Sequence, residues 1–405
     1  MRRLNPFLLV LFLLAYVGIS AMPAWNKVSQ SKSGRDYATY HYAVAEALDG
    51  GDPYNTRALS KRARAEKTRK SVHPYFYPPP FLAVMTWANL VDLATGYRSF
   101  FWFNQLALFG CLAIFRRWFG APWSLLGVMA LSFTPITDNA KMGQANVLVM
   151  LAAVAGLWRG SGTLIGAAAM AKMSPALYLF AWASRRNWRP ILAAVFFAIA
   201  SSLVVLPLVN FDSQWRFYTD ILPGFSSGHY HGLRVPIGLP ANHSIPDLFH
   251  QYWPGSDPQT LSAPAQWGSK IVTFALLAVL TWVARIRRDA LGDAGVFGAC
   301  TVLLLITPVY TYEHHLVMAL FPAAVVGTAL LDGRLGRWGW VVALPAYFFT
   351  AWPLYWLRPA QDAVPSLHWW LQESKFIGLF TLGVLCVFTA IRSREAPVIA
   401  SSESN

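Results

Sequence analysis

Charge is what this chain has least of. Only 13% of its 405 residues are Asp, Glu, Lys or Arg, against about 25% in soluble globular proteins. That deficit leaves too little polar surface to solvate a folded body of this size, and it excludes soluble, disordered and coiled-coil classes. Cysteine is scarce too. Cys111, Cys300 and Cys386 lie far apart inside apolar runs, without metal-ligand spacing. They read as small core residues, so no disulfide framework is expected. Strand-like alternation is missing and the apolar runs are continuous, which excludes an outer-membrane barrel. No internal repeat is visible, which disfavours inverted-repeat transporters.

Apolar residues are abundant, at 55% of the chain, with a mean hydropathy of +0.39. The class implied is an all-α polytopic membrane protein. A spanning helix takes about 20 mostly apolar residues. The first run, 6–22, follows Arg2 and Arg3 and has no small-residue cleavage site, so it reads as an uncleaved first helix. Further runs lie at 80–95, 99–116, 121–135, 144–158, 164–183, 190–210, 269–286, 294–310, 315–331, 337–356 and 375–391. The expectation is about twelve spans.

Net charge is +14, and its placement orients the chain. With a cytoplasmic N-terminus, inside loops hold Arg185, Arg186 and Arg189, then Arg285, Arg287 and Arg288, then Arg334 and Arg337, then Arg392 and Arg394. All four clusters obey the positive-inside rule. Large outer segments follow at 24–79 and 211–268, with a shorter one at 357–374. Arg116 and Arg117 break the count, and 121–135 and 144–158 are short, so half-helices or a re-entrant hairpin are expected there. The basic stretch Arg57, Lys61, Arg62, Arg64, Lys67, Arg69 and Lys70 faces only Glu66 in sequence. It reads as a solvated interfacial helix or a surface for lipid headgroups, not for nucleic acid.

Chemistry is expected in the outer loops. Asp36 opens a segment whose residues Tyr37, Tyr40, Val44, Ala47 and Leu48 have helical spacing. This predicts a short amphipathic helix on the membrane. Its partly desolvated acid is either a general base or a dipole-favoured first-turn acid. The run HPYFYPPPFLAV fixes the chain where it re-enters the membrane, with Tyr75 and Tyr77 structural at the interface. Gln144 and Asn146 head an apolar run. Lys172 stands inside another, about 12 Å deep at 1.5 Å per residue, where a cation must be paired or hold an anion. Glu313, His314 and His315 form a polar cluster between apolar runs. Adjacent histidines cannot both point one way on a helix, so phosphate contact or proton transfer is favoured over a metal. Asn242 heads an NHS glycosylation sequon.

In order along the chain, Asp36 with YATYHYAVAEALDGGDPY, the YPPP entrance at Tyr77, GQANVLVML at Gly143, AMAKMSPAL around Lys172, ANHS at Asn242 and YEHHLVMALFP at His314 form a series. With it the chain resembles polyprenyl-phosphate-sugar-dependent glycosyltransferases of family 87. These belong to the GT-C membrane superfamily and are typified by mycobacterial phosphatidylinositol mannoside mannosyltransferases. The resemblance implies one GT-C membrane domain over 1–391 and a cytoplasmic tail at 392–405. It implies a multi-pass protein of the inner (plasma) membrane whose active site faces the outside. The implied reaction is inverting transfer of a hexose, by default mannose, from a polyprenyl-phosphate donor to a lipid or glycan acceptor. Asp36 would be the base, with His314 or His315 catalytic, and Lys172 and Arg35 on the donor phosphate. Tyr40, Gln144, Asn146, Asn242 and Glu313 would bind substrate. No cofactor or metal is implied. The GlyArg before Asp36 and the basic stretch depart from the family pattern and bear on the acceptor. The competing reading is a lipid-linked sugar transporter, which should spread ionisable residues through several spans.

Overall fold

The computed structural model describes residues 14–28, 33–227, 236–286, 289–353 and 356–392. Arg2, Arg3, Arg287, Arg288, Arg394, the start of the first apolar run and nearly all of the expected tail lie outside them. The regular elements of the described residues are all helices, with one isolated bridge between Pro254 and Leu261.

Four helices are long and apolar enough to cross a bilayer: Leu93–Phe119, Ala263–Ala284, Glu313–Leu331 and Ser374–Ile391. A fifth crossing results if Pro135–Met142 and Asn146–Arg159 count as one bent span. The other expected spans are shorter or broken. The run at 80–95 divides into Pro79–Val84 and Thr86–Leu90, and the run at 164–183 breaks at Lys172 into Gly162–Ala171, Ser174–Leu177 and Tyr178–Ser184. Trp188–Val204 and Ala290–Ile306 have 17 residues each, about 26 Å at 1.5 Å per residue. Apolar composition therefore overstates helix continuity here. In the run at 164–183 the helix stops at Lys172, a polar residue inside an apolar run.

Two cores organise the molecule. The membrane core centres on Ala290–Ile306, buried from Leu291 to Ile306, and on Leu320–Leu331, buried on nearly every side. A helix apolar all round must be enclosed, and these two are. Cys111, Cys300 and Cys386 are buried in this core as free thiols, as their setting in the sequence indicates.

The second core is aromatic and belongs to the outer segment. Tyr37, Tyr40 and Tyr42 from the Arg35–Leu48 helix pack with Tyr75, Tyr77, Phe81, Tyr97 and Phe100. Rings meet edge-on or offset, as Tyr40 does with Tyr77 at 4.9 Å and with Phe81 at 5.2 Å. The Arg35–Leu48 helix therefore does not lie on the membrane surface. It is enclosed from Asp36 to Val44, because the Tyr-Pro entrance and the start of Leu93–Phe119 close over it. Thr56–Ala65 is the amphipathic element instead, burying Leu59, Ser60 and Ala63 beneath its basic face. Arg62 there pairs with Glu46 and with Asp49 at 2.7 Å, not with Glu66.

Candidate active site

Two left-handed glycines bring the centre together. Gly34 has φ 68°, and a Cβ there would stand 2.7 Å from the Tyr97 ring. Gly143 has φ 71°, and a Cβ there would stand 2.6 Å from Tyr37 Cβ. Only glycine accepts both the conformation and the approach. The Gly34 N–H donates to the Lys141 carbonyl at 2.8 Å, and the Tyr97 hydroxyl donates to the Ala140 carbonyl at 2.7 Å. The start of the Asp36 helix is thereby pinned to the turn at Gly143. That turn separates Pro135–Met142 from Asn146–Arg159, which bend by 120°. The interruption lies beside the short runs 121–135 and 144–158, and the bent pair involves 135–142 rather than the run at 121–135.

Asp36 is 8% exposed, and both its carboxylate oxygens are engaged. Oδ1 lies 2.8 Å from His73 Nδ1. Oδ2 accepts from Gln144 Nε2 at 2.7 Å. Behind Gln144, Oε1 accepts from the Tyr77 hydroxyl at 2.5 Å, and Tyr40 donates to Tyr77 at 2.6 Å. Burial pushes the Asp36 carboxyl up. The hydrogen bond from His73, the nearby His314 and the Gln144 amide outweigh that and hold it below its usual range. Each engaged oxygen keeps a second lone-pair direction, so an ionised Asp36 can still accept a proton.

A second line of contacts runs from the same turn. Lys172 Nζ donates to Asn146 Oδ1 at 2.6 Å. Asn146 Nδ2 donates to Asn139 Oδ1 at 3.1 Å and to the His314 carbonyl at 3.0 Å. Lys172 and His314 both stand within electrostatic reach of Asp36. Lys172 sits where the helix stops rather than midway along it, so its ammonium is placed by the break.

The Glu313–Ala319 segment is a 3-10 helix, and it divides its polar residues. His314 is the one in electrostatic reach of Asp36. His315 Nδ1 accepts the Tyr312 N–H at 3.3 Å, which ties that ring to the backbone. Glu313 turns to another cluster, 3.4 Å from His243 Nε2 and 3.2 Å from Lys375 Nζ. Asn242 joins that side as well. Its amide donates to the Ile237 and Val309 carbonyls at 3.0 and 2.8 Å and accepts the Thr311 N–H at 2.8 Å.

Of the residues singled out in the sequence, the structure thus gathers Asp36, Tyr40, Gln144, Asn146, Lys172 and His314. Arg35 does not share the surroundings of Lys172. It is exposed and lines a cavity of about 400 Å³ with Arg69, Lys70 and His73. His73 and Tyr77 are the members that sequence reading missed. Both sit in the HPYFYPPP run, whose prolines carried the signal of a structural entrance, and nothing local marks their contact with Asp36 and Gln144.

The sequence pattern of Glycosyltransferase family 87 matches residues 75–308, more than half of the chain. The match stops short of Asp36 and of the Glu313–His315 cluster. Longer alignments reach further. A polyprenol-phosphate-mannose-dependent alpha-(1-2)-phosphatidylinositol pentamannoside mannosyltransferase of Mycolicibacterium smegmatis is 28% identical over 390 residues, covering 88% of this chain and 85% of the relative. The protein of that description from Mycobacterium tuberculosis is 27% identical over 376 residues, covering 85% and 80%. A phosphatidylinositol mannoside mannosyltransferase of Mycolicibacterium smegmatis is 26% identical over 269 residues, covering 63% and 57%. No solved structure matches the chain significantly. Ordered motifs, a buried acid beside two basic side chains and a pattern match over most of the membrane region agree, and the chain belongs to glycosyltransferase family 87.

Proposed function

We propose that this glycosyltransferase moves a mannosyl group from a polyprenyl-phosphate mannose to a hydroxyl of a phosphatidylinositol mannoside-type lipid. Donor and acceptor classes come from the names of the relatives. The observation that carries the chemistry is Asp36, a buried carboxylate held ionised, with Lys172 and His314 in electrostatic reach.

The acceptor hydroxyl gives its proton to Asp36 as its oxygen forms a bond to C1 of mannose. The bond from C1 to the phosphate oxygen breaks, and its electron pair leaves on polyprenyl phosphate. One displacement inverts the anomeric centre. Lys172 and His314 offset the charge that grows on the departing phosphate. A phosphate leaves without protonation, so one carboxylate suffices where glycosidases use two. Gln144, backed by Tyr77 and Tyr40, fixes the carboxylate, and Asn146 aims the Lys172 ammonium. Glu313, Asn242 and His315 support the walls around this centre.

The reaction takes place on the outer face of the plasma membrane in this reading, with about twelve crossings and both ends inside. Helices that meet at a break, such as Gly162–Ala171 and Tyr178–Ser184, count as single crossings.

The test uses purified protein in liposomes with radiolabelled polyprenyl-phosphate mannose and a phosphatidylinositol mannoside. Labelled glycolipid should form, with the anomeric configuration opposite to the donor's. Movement of labelled donor across the bilayer without a glycolipid product would instead favour the lipid-linked sugar transporter.

A further inference from the structure

We propose that the cavity beside His73 receives the anionic phosphodiester of the lipid acceptor. This rests on the acceptor class read above.

The cavity, about 400 Å³, is lined by Arg35, Ala38, Arg69, Lys70, Ser71, Val72 and His73. That volume suits a polar headgroup. Four of the seven lining residues are basic side chains and none is acidic. Two other cations of the outer segments are paired. Arg62 is shared between Glu46 and Asp49, and Arg216 pairs with Asp52. Among the described residues no carboxylate lies within ion-pair distance of Arg35, Arg69 or Lys70.

Holding these cations together costs free energy. Burial, and the charge of Arg35 beside it, push the Arg69 guanidinium below its usual range. Arg35 is also the first residue of a 14-residue helix, the end at which a cation opposes the macrodipole. Arg69 is held in place because it donates to the Ser33 carbonyl. The loop before Gly34, the base-bearing helix and the cationic wall are therefore one assembly. An anion in the cavity would relieve the repulsion and complete the site.

The position selects the acceptor rather than the donor. Lys172 and His314, the side chains read for the donor phosphate, do not line the cavity, and Lys172 is tied to Asn146. The cavity opens on the His73 side, and the 2.8 Å contact between His73 and Asp36 links it to the base. A lipid whose phosphodiester sits here would extend its sugar toward the carboxylate. The GlyArg that precedes Asp36 and the basic stretch ending at Lys70 thereby acquire a role.

The test compares wild type with the double variant Arg35→Ser/Lys70→Ser, whose side chains make no hydrogen bond or ion pair among the described residues. The first measurement is calorimetric binding of glycerophosphoinositol, with inositol and inorganic phosphate as separate probes. Wild type should bind glycerophosphoinositol well above either, and the double variant about tenfold more weakly, or about 1.4 kcal/mol. Arg35→Lys should recover part of the loss. The second measurement is the ratio of kcat/KM for a phosphatidylinositol mannoside to that for a phosphate-free alkyl mannoside, which should fall about tenfold in the double variant. Unchanged glycerophosphoinositol binding overturns the proposal, as does equal affinity for inorganic phosphate. A rise in donor KM with an unchanged ratio also overturns it and gives the cavity to the donor. Headgroup binding by a wild type that transfers no mannose would retain the cavity and reject the mannosyltransferase reading.

Discussion

Glu313 and His314 are neighbours in sequence and belong to two different buried polar clusters. His314 stands near Asp36. Glu313 faces His243 and Lys375. The first cluster has both carboxylate oxygens engaged, Lys172 and His314 in electrostatic reach and an adjoining cavity through His73. The second is held together around Lys375. Lys375, 1% exposed, donates to the Thr350 and Trp352 carbonyls at 3.2 and 2.5 Å. Beside it, Gln251 bridges two more buried acids, Asp247 at 3.2 Å and Glu373 at 2.8 Å. Asn242 gives its amide entirely to backbone. Burial and charge alone do not separate the two. What separates them is the cavity that adjoins the first through His73, while the second joins helix ends and loops.

The largest contrast is expected from Asp36→Asn. Loss of a general base typically lowers turnover by about 10² to 10⁴, and the variant should remain folded because Asn keeps the contact with Gln144. Mannose transfer measured beside the melting temperature decides this. Near-normal turnover by a stable Asp36→Asn protein removes the base assignment.

Lys375→Met should do the reverse. It leaves the partly buried Glu313 with only the 3.4 Å contact to His243, and breaking a fully buried pair costs about 3–5 kcal/mol. Thermal denaturation in detergent should show a marked fall, while turnover per folded molecule stays close to wild type. Loss of turnover at unchanged stability would place the second cluster in catalysis and erase the comparison.

The smallest effect is a pH dependence at Asp247. Burial, and then the charge of Glu373, raise its carboxyl from 3.8 to about 8. The folded protein therefore holds a proton that the unfolded chain releases, and stability from this group falls as pH rises through that window. Asp247→Asn should raise the melting temperature at pH 8 and leave it little changed at pH 4. An equal shift at both values would mean that Asp247 is not protonated in the fold.

The sequence by itself determined the class, the family and most of the centre. Scarce charge and continuous apolar runs require a membrane environment, and Asp36, Gln144, Asn146, Lys172 and His314 each stand out as polar groups in apolar surroundings. Composition does not carry continuity. Runs such as 164–183 read as single spans, yet they break where Lys172 must reach a polar partner. Tertiary structure decided which polar residues meet. The turns at Gly34 and Gly143 carry Asp36 to Gln144 across 108 residues of sequence. They also bring His73 and Tyr77 into the centre from a proline-marked entrance. Adjacent Glu313 and His314 part because a 3-10 segment rotates successive side chains by about 120° at three residues per turn. Chain spacing sets none of these meetings. Backbone conformation permitted by two glycines, a 3-10 turn, and the packing of an aromatic core around one helix set them.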